Sequence, residues 1–579
     1  MTQTDNAVPY RSPSLARLAW IALILATLYV SYFHNLGAIG LIGPDEPRYA
    51  WIARDMAESG DWVTPRLYGQ PWFEKPPLYY WTAAVTFKLF GVNETAARLP
   101  SAVAALLATL ALAWLALRCY GPETARWLLL LLPTTAGMIG FSHAAATDMP
   151  FAAMLTIALV FAAIVLGAAR DQNSPILPRT PWLALFFLGF FLGLAALAKG
   201  PAALVLASGA VLLWALITKR WRGAFRCLHP VSIASFCLTA LPWYILCGRR
   251  NPNFFRIFII EHNFKRYLTP EFQHIQPFWF YVPVLLVCFI PWIFLFIWTL
   301  CIVTKNLRFS LPHASLTLLF ISWSIFCLVF FSISKSKLPG YILPAIPPLG
   351  LILAHQFTLG PKNPRRFAIL LATFALFSVA AAEWLRRSID LGDVSDMQKT
   401  MLVVAVAAAL LLIAFSNWLL AAGYLAWTNR TIRDLFFTSA ILIILAALIF
   451  WPNYMNNYQR GSISAKTVAE GLHDRQIPVD RIFVWKNASR NWRFGASFYL
   501  HSEITDWDPG KDQQSFVITG TVPCSQLQAS GYIGKSIVLS ALRGTWFVCQ
   551  MTPASLVGDL GQLRGSGGRS NDRAGGQPR

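Results

Sequence analysis

Two acidic residues lie side by side at positions 45 and 46, directly after a long apolar run. The stretch reads GPDEPRYA, and Pro44 and Pro47 flank Asp45 and Glu46. A helix end requires polar residues, but it does not require two adjacent acids between prolines, with Arg48 following. Ionisable groups at membrane depth are costly and usually functional. The stretch therefore predicts a catalytic or substrate-binding position, with a structural loop as the alternative.

A third acid, Asp148, precedes another apolar segment in the stretch SHAAATDMP. Taken alone it could be a helix N-cap, a position that Asp favours. Asp45 and Asp148 each lie at the mouth of an apolar segment, so together they indicate a pair of acids that acts on a leaving group or a sugar hydroxyl.

Basic residues occur in polar stretches that separate other apolar segments. Three of these stretches are FEKPPLYYW at 73–81, GRRNPNFFRIFIIEHNFKRYLTPEFQ at 248–273 and SKSKLPGY at 334–341. Clustered Arg and Lys side chains are the expected chemistry for binding phosphate oxygens. Each base could instead be an anchor whose charged end reaches the membrane surface. The convergence of several basic stretches favours an anionic, phosphorylated and lipid-linked ligand.

The elements that must position these residues are membrane helices. The chain has 579 residues, of which 56% are hydrophobic and 13% charged, and its mean hydropathy is +0.50. Soluble globular proteins carry about 25% charged residues, so the composition predicts a polytopic α-helical membrane protein. The net charge of +21 then indicates basic cytoplasmic loops and sites for phosphates, and not nucleic-acid binding.

Thirteen apolar stretches are long enough to cross about 30 Å of hydrocarbon. They are 15–37, 99–117, 127–141, 149–169, 182–198, 201–218, 229–247, 277–303, 312–333, 341–359, 366–385, 401–427 and 434–452. The shorter segment 76–90 is amphipathic, which is typical of an interfacial helix.

The positive-inside rule orients these spans with 1–14 in the cytoplasm. The loops 38–98, 142–148, 248–276 and 334–341 then lie on the outer face, together with the turn at Lys199. The membrane domain covers 15–453, and the region 454–558 is predicted to be a small periplasmic α/β domain. Its helix is AKTVAEGLHD, and its strands are RIFVWKN, ASFYLH and QSFVITG. Cys524 and Cys549 could form a disulfide there, and the tail 559–579 has the composition of a disordered segment.

The motifs together resemble a known family. They are GPDEPRYA, FEKPPLYYW, RLPSAVAALLATL, SHAAATDMP, ALAKGP, EHNFKRY and SKLPGYILP, in this order over about residues 15–360. They are similar to the bacterial branch of the protein O-mannosyltransferase-like, type-C glycosyltransferases. Within that branch they most resemble the 4-amino-4-deoxy-L-arabinose (lipid A) transferases.

The resemblance implies a role for individual residues. Asp45 and Asp148 would lie at the reaction centre. Four residues would bind the donor phosphate or line its cavity, namely Lys75, Arg266, Lys199 and Tyr341. Supporting positions in the same cavity would be Glu46, Arg48, Glu74, Tyr79, Arg249, Lys335 and Lys337. Glu74 and His262 could hold a divalent metal ion, although the sequence has no full ligand set and no cofactor is required.

The resemblance also implies an activity. The chain would be an inverting glycosyltransferase of the bacterial inner membrane whose active site faces the periplasm. It would act as a monomer on an undecaprenyl phosphate-linked sugar, with lipid A as the acceptor, and so give resistance to polymyxin and other cationic peptides.

Two alternatives stay open. A related transferase could modify protein or another surface glycan, because the acceptor is recognised by cavity shape and not by a short motif. A transporter or flippase for a lipid-linked sugar would use the same basic cavity. The sequence has no internal symmetry of the kind that transporters carry, and both acids lie at helix ends.

Overall fold

The structure is a computed structural model, and it describes only part of the chain. The described residues are 15–168, 181–269, 275–307, 316–360, 430–458, 464–486, 488–508, 514–520, 524–527, 532–537 and 547–553. The predicted spans 366–385 and 401–427, the N-terminus 1–14 and the tail 559–579 lie outside these residues.

The chain divides into two compact units. The first comprises Met1–Leu36, Met56–Arg66 and Pro71–Trp451, and the second comprises Gly37–Asp55, Leu67–Gln70 and Pro452–Arg579. The second unit therefore takes in the stretch that carries Asp45, which a division of the sequence into consecutive domains does not anticipate.

Helices make up most of the described chain before the C-terminal region. They are α1 Leu15–Tyr32, α2 Asp45–Ser59, α3 Leu78–Phe90, α4 Glu94–Cys119, α5 Pro122–Leu131, α6 Ala136–Ser142, α7 Asp148–Val165, α8 Pro181–Lys199, α9 Ala202–Thr218, α10 Trp221–Arg226, α11 Pro230–Arg250, α12 Arg266–Leu268, α13 Tyr281–Cys288, α14 Ile293–Leu307, α15 Leu316–Ile333, α16 Ile346–Leu359 and α17 Arg430–Tyr458. A short hairpin, β1 Arg66–Leu67 and β2 Gln70–Pro71, follows α2.

Within the described residues, eight helices are long and apolar enough to cross a membrane, and nine if α5 and α6 form one span bent by 62°. These spans coincide with predicted ones, so the polytopic helical fold is confirmed. The count of thirteen stays a prediction, because two of the predicted spans lie outside the described residues.

One predicted span has a different form. The stretch 277–303 is broken into α13 and α14, with Pro291 in the connection. Proline has no backbone N–H and disfavours helical geometry in the residue before it. An apolar run alone does not reveal such a break. The predicted outer loop at 248–273 is likewise partly helical, because a π-helix, Arg256–Lys265, leads directly into α12.

Helix α7 is the centre of the first unit. Its sequence is apolar on all sides, and 83% of the span is buried. A helix that is hydrophobic all round must be covered by other helices, and α7 packs against α4, α8 and the 3-10 turn Pro339–Ala345. The first residue of this buried helix is Asp148, so the fold holds its backbone in a rigid position.

The C-terminal part of the second unit is a small α/β fold. Helices α18, Lys466–Asp474, and α19, Arg490–Leu500, accompany four strands, β3 Ile482–Val484, β4 Ser515–Gly520, β5 Tyr532–Ile537 and β6 Phe547–Pro553. The sheet order is β3-β4-β6-β5, with β3 and β4 parallel and the other two pairs antiparallel. A disulfide joins Cys524 to Cys549, as the sequence suggested.

The prediction that ASFYLH is a strand is wrong, because these residues belong to α19 and its end. A short apolar run does not distinguish a strand from a buried helix by its periodicity. The pattern is helical once Trp492 is included, since Trp492 and Ala496 are buried one turn apart.

Candidate active site

A cavity of about 370 Å³ lies in the first unit among loops that the sequence assigns to the outer face. Its lining residues are Glu74, Lys75, Lys199, Pro201, Ala202, Val205, Phe258, His262, Asn263, Phe264, Arg266, Tyr267, Leu268, Phe330, Phe331, Ser334, Ser336 and Tyr341. Charged groups lie beside an extended apolar wall, so the cavity suits a ligand with a charged head and an apolar chain.

Lys199 and Asp148 form one side of the charged cluster. The ammonium of Lys199 donates to Oδ1 of Asp148 at 2.5 Å, and both side chains are largely buried. The same ammonium lies 4.8 Å from the ring centroid of Tyr341, within the range of a cation–π contact. Asp148 is the first residue of α7 and its carboxylate is turned to Lys199, so it is not the N-cap that the residue type alone allowed; Thr147 holds that position.

Arg266, Glu74 and Lys75 form the other side. Nη1 of Arg266 donates to Oε1 of Glu74 at 3.0 Å, and Nζ of Lys75 lies 3.7 Å from the same oxygen. Arg266 also lies 6.0 Å from the ring centroid of Tyr341. The ring of Tyr341 therefore contacts both cations beside the cavity.

The cluster carries one positive charge in excess, since Lys75, Lys199 and Arg266 face the carboxylates of Glu74 and Asp148. Burial, reinforced by the nearby charge of Arg266, lowers the pKa of Lys75 to about 8. A desolvated cation beside other cations is stabilised by an anion. The cluster is thus arranged to receive a group of negative charge.

Two glycines permit this arrangement. A Cβ at Gly340 would lie 2.8 Å from Oδ1 of Asp148, so only a glycine lets the 3-10 turn approach the acid. Gly200 has a φ of +75° and ends α8 directly after Lys199, and a Cβ there would lie 2.7 Å from Cζ of Phe258. Neither glycine was singled out from the sequence.

Four of the predicted supporting residues lie elsewhere in the first unit. Arg249 and Lys335 are exposed and do not line the cavity. Lys337 is buried, and its ammonium donates to the carbonyls of Ser334 at 2.6 Å and Gln276 at 3.0 Å, so it holds the loop before Tyr341 in place. The hydroxyl of Tyr79 donates to the carbonyl of Ala97 at 2.9 Å. Lys337 and Tyr79 therefore bind backbone carbonyls and do not line the cavity.

Asp45, Glu46 and Arg48 belong to the second unit. Asp45 begins α2, its side chain is 48% exposed, and Oδ1 accepts from Nη2 of Arg48 at 2.5 Å. Glu46 is buried and accepts the backbone N–H of Ile42 at 2.8 Å. The acid that the sequence places at the reaction centre therefore stands at the exposed start of a helix, held by a buried guanidinium.

The residues fit a divalent metal poorly. Within the described ranges, no group of three or more His, Cys, Asp or Glu side chains could hold a metal ion. Of the two suggested ligands, Glu74 binds Arg266. Burial lowers the pKa of His262, opposed by Glu74 and reinforced by the charges of Lys75 and Arg266. Hence no step of the reaction is assigned to a metal.

Other lining residues were missed by sequence reasoning. Asn263 donates to the carbonyl of Phe258 at 2.6 Å within the π-helix. Ser336 is 2% exposed, and its hydroxyl has no hydrogen-bond partner among the described residues. Both residues occur inside motifs named above. The sequence around a polar residue in a loop does not indicate whether its side chain points into the cavity or away from it.

Comparisons with known proteins agree with this architecture. Residues 18–258 match the family described as dolichyl-phosphate-mannose-protein mannosyltransferase. The chain is 31% identical over 401 residues to the undecaprenyl phosphate-alpha-4-amino-4-deoxy-L-arabinose arabinosyl transferase of Pseudomonas aeruginosa. The aligned residues cover 68% of this chain and 70% of that protein. The enzyme of the same name from Edwardsiella ictaluri is 33% identical over 332 residues, or 57% of this chain and only 58% of that protein.

A solved structure shares the fold. The crystal structure of ArnT from Cupriavidus metallidurans bound to undecaprenyl phosphate matches with a TM-score of 0.74 and 23% identity, over 93% of this chain and 99% of that one. The fold and the cluster define a multi-pass membrane glycosyltransferase of type C. More particularly, the chain belongs to the family of undecaprenyl phosphate-alpha-4-amino-4-deoxy-L-arabinose arabinosyl transferases.

Proposed function

We propose that the chain transfers 4-amino-4-deoxy-L-arabinose from undecaprenyl phosphate to a phosphate of lipid A, at the periplasmic face of the bacterial inner membrane. The proposed working unit is a monomer. The added amino sugar carries a positive charge and reduces the negative charge of lipid A. Weaker binding of polymyxin and other cationic peptides follows from that change.

The buried cluster with one positive charge in excess is the observation that carries the proposal. A polyprenyl phosphate esterified to a sugar is a phosphodiester with one negative charge, which balances that excess. The apolar wall, including Phe258, Leu268 and Phe330, is suited to the start of the polyprenyl chain.

The reaction is an in-line displacement at the anomeric carbon with inversion. An oxygen of the acceptor phosphate forms the new bond to this carbon as the bond to the donor phosphate oxygen breaks. The electron pair leaves with undecaprenyl phosphate, where Lys75 and Arg266 stabilise the developing charge. Lys199 lies across Tyr341 from Arg266 and completes the positive surface.

The acids have a role that depends on the acceptor. A lipid A phosphate is already an anion and needs no general base, so Asp45 and Asp148 would orient the sugar, one of them by pairing with its amino group. A hydroxyl acceptor would instead require one acid to take a proton as the hydroxyl attacks. The role of Asp45 rests on the sequence motif.

Lipid A mass spectrometry tests the proposal. The gene is expressed in a host that lacks its own aminoarabinose transferase but makes the lipid-linked donor. We expect a mass increase of one aminopentose on lipid A, absent from Asp45→Asn and Asp148→Asn variants that reach the membrane in normal amount. Unmodified lipid A, with the wild-type chain inserted, would contradict the proposed acceptor or sugar.

Donor binding is expected to weaken as the pH rises through about 8. Lys75 binds an anion only when protonated, and its pKa near 8 means that the charge is present below this pH and lost above it. The KM for the donor should therefore rise between about pH 7 and pH 9. Lys75→Arg, which stays protonated throughout, should shift this rise to higher pH. An identical pH profile for both proteins would rule out Lys75 as the titrating group.

Ser336→Ala is expected to weaken the affinity for undecaprenyl phosphate by about 0.5–1.5 kcal/mol, the usual contribution of one hydrogen bond. The reason is that the buried hydroxyl lines the cavity and has no partner among the described residues. Titration of purified protein with undecaprenyl phosphate measures the change. Ser324→Ala is the matched control, because Ser324 is buried in α15 and bonds the carbonyl of Phe320 away from the cavity. Equal affinities for the two variants would contradict the assignment.

A further inference from the structure

A second cavity, of about 400 Å³, lies where α9 leads through α10 into α11. It is lined by Leu166, Lys219, Arg220, Trp221, Arg222, Gly223 and Arg226. Four of its seven lining residues are basic. The sequence assigns this loop to the cytoplasmic face, opposite the active-site loops, so the cavity has no part in sugar transfer.

The cavity is built by a turn that folds back on the helix bundle. Lys219 ends α9 in the left-handed conformation, with a φ of +57°. Gly223 is buried, and a Cβ there would lie 3.3 Å from the carbonyl oxygen of Leu166 near the end of α7. The close approach of Gly223 gives the cavity a floor, so the basic residues surround a fixed concave surface.

An apolar stripe accompanies the basic residues. Trp221, Phe225 and Leu228 follow one another at four- and three-residue spacing, and their exposed fractions are 41%, 66% and 62%. Large apolar side chains at this spacing, next to Arg residues, are typical of a helix that lies in the membrane surface. A surface of this composition suits the depth of lipid head groups.

The bases around the cavity have no acidic partner in the part of the chain that the structure describes. Among the described residues, none of Lys219, Arg220, Arg222 and Arg226 forms an ion pair, whereas Arg250 and Arg266 elsewhere in the first unit do. All four are exposed. Their charge is available to a ligand that the membrane supplies.

We propose that this cavity binds the head group of an anionic phospholipid of the cytoplasmic leaflet. Guanidinium groups bind phosphate oxygens in forked geometry, and basic pockets at this level of membrane proteins attract anionic lipids. The apolar stripe lies against the acyl chains while the bases contact the phosphate.

Lipid titration of the purified full-length chain tests the site. We expect phosphatidylglycerol, and not phosphatidylcholine, to raise the melting temperature and to stay bound in native mass spectrometry. The triple variant Arg220→Gln/Arg222→Gln/Arg226→Gln should bind phosphatidylglycerol on the order of 10²-fold more weakly, at about fivefold per base. The control Arg475→Gln/Arg490→Gln/Lys535→Gln removes the same charge from exposed positions of the second unit and should bind like the wild type.

Two results would overturn the proposal. One is equal binding of phosphatidylglycerol by the triple variant and the wild type. The other is full stabilisation of the wild type by inorganic phosphate alone, which would identify a site for a soluble anion. Lipid-free melting temperatures of the variants show whether each is folded before lipid is added.

A separate observation concerns the second unit, where the residues around Asp45 contact α19 and its C-terminal end. The backbone N–H of Leu41 donates to the hydroxyl of Tyr499 at 2.7 Å. The guanidinium of Arg54 forms a hydrogen bond with Nδ1 of His501. The segment before α2 and the body of α2 are therefore each tied to the C-terminal fold.

Phe494 of α19 contacts the group that holds Asp45. The guanidinium of Arg48 lies 5.6 Å from the ring centroid of Phe494 and 5.2 Å from that of Tyr49, while it binds Asp45 at 2.5 Å. The ring of Tyr68 stacks on that of Phe494, with the two ring centroids 6.5 Å apart. Packing from α19 thus restricts the orientation of Arg48, which in turn restricts that of the carboxylate.

We infer that α19 is a positioning element for Asp45, an inference that rests on the proposed function of this acid. Phe494 acts through Arg48, and Tyr499 acts through the backbone at Leu41. Small displacements of a reacting group lower the rate by up to about 10²-fold. Loss of either contact should therefore lower kcat, while the donor, which binds the first unit, keeps its KM.

Phe494→Leu and Tyr499→Phe test this role. We expect kcat to fall by about 10- to 10²-fold, with KM unchanged, and hydrogen exchange of residues 41–55 to become faster. Phe494→Tyr, which keeps the ring, should restore both values, and Asn491→Ala on the exposed side of α19 should match the wild type. Wild-type exchange in 41–55 for both test variants would overturn the inference whether or not the chain transfers aminoarabinose. If the test variants show faster hydrogen exchange in residues 41–55 but the wild-type chain does not transfer aminoarabinose, only the proposed function is contradicted.

Discussion

Arg266→Ala is expected to lower the rate of sugar transfer by about 10²–10³-fold, the usual effect of removing one donor that stabilises developing negative charge. Two consequences add to each other. The departing phosphate loses a guanidinium, and the buried carboxylate of Glu74 loses its partner at 3.0 Å, while Lys75 stays 3.7 Å away. Because the charge develops mainly in the transition state, the fall should be larger in kcat than in donor affinity.

Two further variants make the measurement specific. Arg266→Lys keeps the charge but not the forked geometry, so an intermediate rate is expected. Arg256→Ala is the matched control, since Arg256 begins the π-helix, is 70% exposed and contacts only Glu261 at 3.7 Å among its described ion pairs. Steady-state kinetics with purified protein separate kcat from KM. A rate for Arg266→Ala within threefold of the control would contradict a role in charge stabilisation.

Asp148→Asn is expected to reduce kcat by at least about 10²-fold while leaving donor affinity equal or tighter. The substitution removes a carboxylate 2.5 Å from Lys199, so the cluster gains a second positive charge in excess and attracts the donor phosphate more strongly. The acid that orients the reacting sugar is lost at the same time. A fall in kcat with an unchanged or lower KM identifies an acid of the reaction centre, since general damage to the fold would lower kcat and raise KM.

The control for this variant is Asp61→Asn. Asp61 also lies in a predicted outer loop, but it pairs with Arg250 at 3.0 Å and Arg66 at 3.6 Å and not with the cavity residue Lys199. Burial raises the pKa of Asp61, but hydrogen bonds from the backbone of Val63 and Thr64 and the charges of Arg250 and Arg66 outweigh burial and lower it overall. Near-normal transfer by Asp61→Asn and by Asp148→Asn alike would remove Asp148 from the mechanism.

Sequence reasoning reached the helical architecture because hydropathy is a local property. A span of about 20 apolar residues has few alternatives to a helix in lipid, since every backbone polar group must be satisfied within the segment. The runs that became α4, α7 and α15 could be located from residue type alone. The break at Pro291 and the helical form of ASFYLH were missed, because both depend on neighbours beyond the run itself.

The same limit applies within the site. Motifs such as FEKPPLYYW and EHNFKRY identified Glu74, Lys75 and Arg266, but their chemistry depends on pairs that are far apart in the chain. Glu74 and Arg266 are separated by 192 positions, and Asp148 and Lys199 by 51. From the sequence, Lys337 was as good a candidate for binding phosphate as Lys75. Its ammonium instead donates to two backbone carbonyls.

The sequence by itself determined that this chain is a multi-pass helical protein with acids and bases gathered in the loops of one predicted face, because composition and charge pattern along the chain decide how it inserts into lipid. Only the tertiary structure decided which of those charges neutralise one another. Ion pairing depends on side-chain direction and on close approaches such as that of Gly340 to Asp148. The single positive charge left over in the cavity is a sum over five side chains from four separate loops, and no local stretch of sequence contains it.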